Sequence, residues 1–182
     1  MPSPIESIRS SATLLALVSL YILSITVMSS FTNKAKLTIT STSFSNNGMI
    51  PVKYSCEGEE VSPPLNISDI PHDAQSLAVI IHDPDAPLKG GFTHWVVWNL
   101  DVKRDISENF KNGEQGMNSS KQYGYMGMCP PSGTHHYHFI VYALDARLNI
   151  DKNTDKTGLE KAMQGHILAQ GELIGLYKKT KP

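Results

Sequence analysis

The architecture of this chain follows from residues 76–100, whose sequence is SLAVIIHDPDAPLKGGFTHWVVWNL. Two runs in this stretch, Leu77–Ile81 and Trp95–Leu100, consist mainly of β-branched, aromatic and other apolar residues. Apolar runs of this length, without a polar face, predict strands that are buried on both sides of a sheet. The prolines between the two runs lack an N–H and fix φ, so they end strand pairing. We therefore predict two central strands joined by a loop.

The loop carries ionisable side chains to the end of the predicted sheet. Asp83 and Asp85 flank a proline directly after the first strand, and His94 begins the second. Two carboxylates and an imidazole at a strand end are typical of a binding site. Two alternatives remain, namely aspartates that accept backbone N–H groups in a turn, and a core histidine bonded to a carbonyl. Strict alternation along the second strand predicts one shared face for His94, Val96, Trp98 and Leu100.

A second stretch has the same design, with a proline and glycine loop that leads into a strand. Residues 129–142 have the sequence CPPSGTHHYHFIVY. Because side chains alternate along a strand, His135 and Tyr137 share one face and His136 and His138 share the other. We therefore expect only the first pair to contribute to a common pocket with the aspartates.

The rest of the chain predicts further strands and one helix. An alternating segment, Lys36–Phe44, predicts a first strand, and Met49–Tyr54 predicts a short edge strand. Thr157 followed by Glu160 matches a capping box, which predicts a helix that ends near Ala169. Glycines disfavour a longer helix, so Glu172–Tyr177 is predicted to form a terminal strand.

In combination, DPDAP followed by His94, and PPSGTHHY leading into a strand, resemble the phosphatidylethanolamine-binding protein family. The resemblance is greatest to its bacterial and archaeal branch, often called Raf-kinase-inhibitor-like proteins, and it extends from about Phe44 to Tyr177. It implies a mainly β fold, a β-sandwich with a few peripheral helices, one of them near the C-terminus.

The resemblance also implies a function and a site. Members of the family bind phosphate-bearing head groups or small oxyanions, so the resemblance implies a phosphorylated small molecule or a phospholipid head group as partner. The alternative is a protein-interaction module that inhibits a kinase or protease through the same pocket. In such a site the aspartates would orient the imidazoles, which would donate to the anion. The implied ligand-binding residues are Asp83, Asp85, Pro87, His94, Pro131, Gly133, His135 and Tyr137.

Composition and spacing argue against several other functions. The net charge of −1 and the scattered lysines provide no basic patch for nucleic acid. The spacing of the Asp and His residues matches no metal signature, and no GxSxG nucleophile motif is present. We therefore expect no cofactor, no metal and no enzymatic activity.

The N-terminus predicts export. Residues 10–33 contain no charged side chain, one Arg precedes them, and small residues follow the apolar run. This layout is typical of a secretory signal peptide, although the span is also long enough for an uncleaved anchor. We assign residues 1–33 to a signal peptide or membrane anchor and residues 34–182 to a single domain. The expected location is periplasmic or extracellular; the alternative is anchoring by residues 11–31, which would be the only association with a membrane.

Two cysteines, Cys56 and Cys129, complete the set of chemically informative residues. An exported protein lies in a compartment that permits a disulfide, and closing so long a loop would stabilise the fold by roughly 4 kcal/mol. Two separate buried thiols are the alternative. We predict the disulfide, which would stiffen the PPSG loop.

Overall fold

The computed structural model describes residues 35–180. The predicted leader or anchor in residues 1–33 lies outside this range. Within the range, no helix is long and apolar enough to cross a membrane.

The described residues form two β-sheets, one 3₁₀ turn at Val52–Tyr54 and one α-helix. The helix is α1, Lys156–Ala162. The strands are β1 (Ala35–Lys36), β2 (Thr38–Thr40), β3 (Gly48–Met49), β4 (Leu65–Ser68), β5 (Ser76–Asp83), β6 (Phe92–Leu100), β7 (Asp105–Ile106), β8 (Glu114–Gln115), β9 (His135–Leu144) and β10 (Ile167–Tyr177). The larger sheet has the order β1-β10-β9-β5-β6-β8, with β3 also paired to β10, and the smaller has the order β2-β4-β7. The predicted mainly β fold with a helix near the C-terminus is confirmed.

The two central strands are buried on both faces, as their sequence predicts. Leu77, Val79 and Ile81 of β5 pack in the core between the two sheets. Ala78 and Ile80 point the other way and belong to a second core, which is covered by Leu159 of α1 and by Met163 directly after the helix. The larger sheet is therefore the middle layer of the domain. Its ends are the positions at which loops can open a site.

The predicted alternation along β6 is wrong because the strand contains two bulges. Ile81 pairs with Trp95 and His82 with Thr93, so His94 is an extra residue in the ladder. A bulge of this kind turns two successive side chains to the same face. His94 therefore lies on the face of Trp95, and its ring contacts Tyr137 of β9.

The second bulge lies near the other end of β6. Val79 pairs with Val97 and Leu77 pairs with Leu100, so β6 contains one extra residue between these pairs. Asn99, within this interval, has a positive φ of 56°. As a result Leu100 joins the core between the sheets, whereas Val96 and Trp98 stay on the helix side. The sequence contains no glycine or proline at either bulge to mark it.

The C-terminal helix is shorter than predicted. Asp155, not Thr157, caps α1, and its carboxylate accepts a hydrogen bond of 3.0 Å from the backbone of Gly158. The helix ends at Ala162, and Gly165 with a φ of +84° turns the chain. The strand that follows begins five residues earlier than expected, because residues from Ile167 onward pair with β9.

The N-terminal strand predictions are also too long. In place of a strand over Lys36–Phe44 there are two short strands, β1 and β2, which belong to different sheets. Of the segment Met49–Tyr54, only Met49 belongs to a strand, as the last residue of β3. Pro51 then precedes the 3₁₀ turn. The chain changes sheets between Lys36 and Thr38, and a change of partner leaves no signal in residue alternation.

Candidate functional site

A cleft of about 260 Å³ opens at the DPDAP turn, between the end of β5 and the beginning of β6. Its walls are mainly apolar, and its ionisable groups are Asp83 and His94. An apolar cleft with a few polar groups is the usual form of a small-molecule site. The residues that line the cleft are Asp83, Ala86, Pro87, Leu88, Phe92, His94, Met126, Gly127, Cys129 and Pro131.

Asp83 is buried and both of its carboxylate oxygens are engaged. One oxygen accepts backbone N–H groups from Asp85 at 2.9 Å and from Ala86 at 3.1 Å. The other lies 2.7 Å from Nδ1 of His135, which is also buried. Asp83 therefore shapes the turn and orients His135, so both interpretations of this residue hold. Three donors offset its charge, which lowers the repulsion that an anion in the cleft would meet.

His94 is placed in the cleft by the bulge in β6. Its Nδ1 lies 3.0 Å from the carbonyl oxygen of Met126, and because a carbonyl only accepts, Nδ1 carries the proton. Burial lowers the pKa of His94 to about 4, against the favourable contacts with nearby carbonyls and Asp83. At neutral pH His94 is therefore uncharged, with a lone pair on Nε2. This nitrogen becomes a donor only when the ring takes up a proton.

Tyr137 lies next to both imidazoles and has an unsatisfied hydroxyl. Its ring meets His94 edge-on at 5.3 Å and stacks against His135 at 6.4 Å. The side chain is fully buried, and its hydroxyl has no hydrogen-bond partner among residues 35–180. Asp83 is close enough for its charge to raise the pKa of Tyr137, after the larger effect of burial, but it does not meet the distance and angle of a hydrogen bond. A buried donor without a partner is rare and needs an explanation.

Four of the residues implied by the resemblance do not line this cleft, namely Asp85, Gly133, His135 and Tyr137. Asp85 is about half exposed and accepts from Nδ1 of His136 at 2.7 Å and from its backbone N–H at 2.8 Å. These bonds lower the pKa of Asp85. Gly133 borders a separate depression beside Lys178 and Lys179. The structure thus brings together Asp83, Pro87, His94 and Pro131, with His135 and Tyr137 in contact with them.

Several lining residues were not foreseen from the sequence. Leu88 and Phe92 lie between the two motifs, and Met126 and Gly127 belong to a loop that contacts β6. The backbone N–H of Met126 donates a hydrogen bond of 2.9 Å to the carbonyl oxygen of His94. Of these residues, only Phe92 could have been predicted from the sequence. It precedes His94 by two residues, and alternation along a strand places such a pair on one face. The loop contacts depend on tertiary structure and leave no local pattern.

The disulfide between Cys56 and Cys129 is present, as predicted. Cys129 lines the cleft, so the bond fixes one wall to the segment that follows the 3₁₀ turn. A disulfide is compatible with an exported protein. The part of the chain that the structure describes contains no cluster of His, Cys, Asp and Glu that could hold a metal ion.

The fold and the site together define the class: a two-sheet β protein with a ligand-sized cleft at the end of a central strand. The chain belongs to the phosphatidylethanolamine-binding protein family, whose model matches residues 40–178. Membership of this family supports a ligand-binding or interaction module.

Relatives and solved structures agree with this assignment. A UPF0098 protein of Pyrococcus horikoshii is 43% identical over 91% of this chain and 88% of its own length. A crystal structure of a phosphatidylethanolamine-binding protein homologue from Chlamydia trachomatis, described as putative, superposes with a TM-score of 0.76 at 42% identity, covering 79% of this chain and 98% of that one. YbcL of Escherichia coli, described as a new member of the mammalian family, has a TM-score of 0.74 at 27% identity and covers 80% of this chain and all of its own.

Proposed function

We propose that this protein binds a phosphate-bearing small molecule or a phospholipid head group in the cleft between the DPDAP turn and Pro131, without catalysing a reaction. The observation that carries the proposal is the buried hydroxyl of Tyr137, which has no hydrogen-bond partner among the residues that the structure describes and lies beside the imidazoles of His94 and His135. A phosphate oxygen would supply the missing acceptor. Hydrogen bonds to charged groups are the stronger ones, so this contact would favour an anion.

The shape of the cleft suits such a ligand. Its apolar walls, which include Pro87, Leu88 and Phe92, can contact the carbon skeleton, while the polar groups bind the phosphate. The charge of the anion would raise the pKa of His94 and so recruit a proton to Nε2. A protonated His94 and the Tyr137 hydroxyl would then donate together.

The absence of catalysis is part of the proposal and rests on the state of the polar groups. Cys129 is held in a disulfide and cannot act as a nucleophile. Asp83 is fully engaged by three donors, and the lowered pKa makes His94 a weak base at neutral pH. A general base works best when its pKa lies near the operating pH.

An interaction module is the second candidate, and Leu88 favours it. This large apolar side chain is 56% exposed at the rim of the cleft. Exposed apolar groups beside a cleft are common where another protein docks. A kinase or protease partner would cover Leu88 and enter the same cleft.

The test is a titration with phosphoethanolamine followed through the histidine ring signals in NMR. We expect the signals of His94 and His135 to shift and saturate, while that of His136 on the opposite face stays unchanged. Tyr137→Phe removes only the hydroxyl and should weaken binding about tenfold, the effect of one hydrogen bond to a charged group.

Tyr142→Phe is the matched control, because Tyr142 lies on the other face of β9. It should bind as the wild type does. Silent His94 and His135 signals at millimolar ligand, or equal affinity of Tyr137→Phe and wild type, would refute the anion site. Loss of a captured protein partner in Leu88→Asp, with silent histidines, would favour the interaction module instead.

A further inference from the structure

A second cleft, of about 290 Å³, lies on the helix side of the larger sheet. Thr93 lines it, and this residue points away from the face to which the bulge turns His94. Gly90 and Gly91 form one edge, and Lys156 with Thr157 forms the other. The cleft is thus separate from the one that contains His94, although adjacent residues of β6 contribute to the two.

The side chains around this second cleft give it a positive charge. Lys89, Lys121 and Lys156 line it, against a single lining carboxylate, that of Asp155. Asp155 is occupied as the cap of α1. Lys156 pairs with Glu160 at 2.8 Å, whereas Lys89 and Lys121 form no ion pair within residues 35–180. Two ammonium groups are therefore available to a ligand.

A rigid turn presents Lys121. Asn118 is buried, and its side-chain oxygen accepts the backbone N–H groups of Ser120 at 3.0 Å and Gln122 at 3.1 Å. Lys121 itself has a positive φ of 62°, which the turn maintains. Because the backbone of the turn is already ordered, binding here loses little backbone entropy, and the loss is confined to the side chain of Lys121.

The turn is also tied to the edge of the sheet. The hydroxyl of Ser119 accepts from the N–H of Thr93 at 2.8 Å, and the Ser119 N–H donates to the Thr93 carbonyl at 2.9 Å. These bonds hold the 118–122 turn against β6. The position of Lys121 relative to the cleft is therefore fixed by the sheet.

His82 lies directly beside the wall of this cleft. A side chain at Gly91 would meet Nε2 of His82 at 2.8 Å, and Nδ1 of His82 lies 3.2 Å from the hydroxyl of Thr93. Burial lowers the pKa of His82, and the positive charge of Lys156 lowers it further. The ring of His82 therefore senses the positive potential of the cleft and would report a bound anion.

From this geometry we propose that the cleft lined by Lys89, Lys121 and Lys156 is a second binding site, which takes a small soluble phosphomonoester. The volume accommodates a phosphate with a short carbon skeleton, and the lysines match its two charges. Ser119, which also lines the cleft and is exposed, adds a hydroxyl that can form a hydrogen bond. The site does not depend on the ligand of the first cleft.

The experiment is a titration with glycerol phosphate that follows the ring signals of His82 and His94 in parallel. Occupation of the second site should shift the His82 signal with a saturating curve. Replacing Lys89 and Lys121 together by Ala should weaken that response about tenfold, since each exposed charge contributes modestly. The affinity should also fall as salt is added, as expected for exposed charges.

The matched control replaces Lys103 and Lys111, two exposed lysines that do not line this cleft, and should leave the response unchanged. An unshifted His82 at millimolar glycerol phosphate would overturn the proposal, whatever His94 does, and an unshifted His94 bears only on the first cleft. An unchanged affinity in the Lys89 and Lys121 double variant would also overturn it. Binding of phosphatidic acid in phosphatidylcholine vesicles, without any binding of glycerol phosphate, would also overturn the proposal.

Discussion

At the scale of single residues, the cleft depends on how His94 is held. The bulge in β6 turns this ring toward Tyr137, and the carbonyl of Met126 fixes its proton on Nδ1. Burial lowers its pKa to about 4, so the free protein keeps it neutral under ordinary conditions. An anion in the cleft reverses this preference, because it favours the charged ring. Binding and protonation of His94 are therefore linked.

The first prediction follows from this linkage. Sulfate keeps a constant charge between pH 5 and 7.5, and its affinity for the cleft should rise as pH falls through this interval, by at most about tenfold per pH unit. The reason is that the bound state takes up a proton which the free state, with a pKa of about 4, does not hold. Calorimetric titrations at several pH values measure the slope. His94→Gln should flatten it, and an equal slope in wild type and variant would contradict the linkage.

A second prediction concerns stability without ligand. The unfolded chain holds His94 near its ordinary pKa of 6.5, and the folded chain lowers that value to about 4. Between these two pKa values the unfolded state binds more protons than the folded state. The contribution of His94 to the free energy of unfolding therefore falls as pH falls from about 6.5 to 4, and it does not change above pH 6.5. The loss attributable to His94 is about 3 kcal/mol.

Urea unfolding at pH 7 and pH 4.5 measures this effect as a difference between variants. His94→Gln should lose less stability on acidification than the wild type does. His72→Gln, which alters an exposed loop histidine, should behave as the wild type does. If all three proteins lose the same free energy, burial of His94 is not the cause.

At the scale of elements, β10 shows why close packing between sheets constrains the sequence. A Cβ at Gly171 would lie 2.4 Å from the carbonyl oxygen of Leu37. The backbone of the N-terminal segment therefore crosses β10 at a distance that only glycine permits. Glycine has a low propensity for β-strands, so the close contact with the Leu37 backbone is the reason why a glycine occupies position 171.

The third prediction tests this approach. Gly171→Ala should lower the free energy of unfolding by about 2 kcal/mol, because the contacting atom belongs to the backbone and cannot move aside cheaply. Gln170→Ala, at the neighbouring exposed position, should change it by less than about 0.5 kcal/mol. Chemical denaturation measures both. Equal stability of the two variants would show that the segment at Leu37 is free to shift.

The sequence predicted some elements well and others poorly, for physical reasons. β5 and β9 were predicted because their apolar runs and alternation are local signals, and the split of His135 and Tyr137 from His136 and His138 followed directly. The bulge at His94 was missed because an extra residue in a ladder is defined by the partner strand. The same holds for Met126, which reaches the cleft by a long-range contact. Asp85 was assigned to the site from its position at a strand end and from the resemblance, but its pairing with His136 depends on geometry that local sequence does not encode.

At the scale of the whole molecule, the disulfide ties the cleft to the rest of the domain. Cys56 and Cys129 are 73 residues apart, and Cys129 forms part of the cleft wall. A cross-link of this span restricts the unfolded chain and, at the same time, stiffens the site. Stability and ligand affinity should therefore change together when the bond is removed.

The fourth prediction follows. Replacing both cysteines by serine should lower the free energy of unfolding by about 4 kcal/mol, from the entropy that the open loop regains. Affinity for phosphoethanolamine should fall as well, because the wall at Cys129 becomes mobile. Denaturation and calorimetry measure the two effects. Ser107→Ala and Ser132→Ala together, which change two exposed positions without opening a cross-link, provide the control. A double cysteine variant as stable as this control would contradict the prediction.

The most direct test of the anion site is a crystal structure of the protein grown with phosphoethanolamine. We predict a phosphate group in the cleft between Pro87 and Pro131, accepting hydrogen bonds from the hydroxyl of Tyr137 and the imidazole of His94. A cleft empty of ligand at saturating concentration, or phosphoethanolamine found only among Lys89, Lys121 and Lys156, would contradict the account.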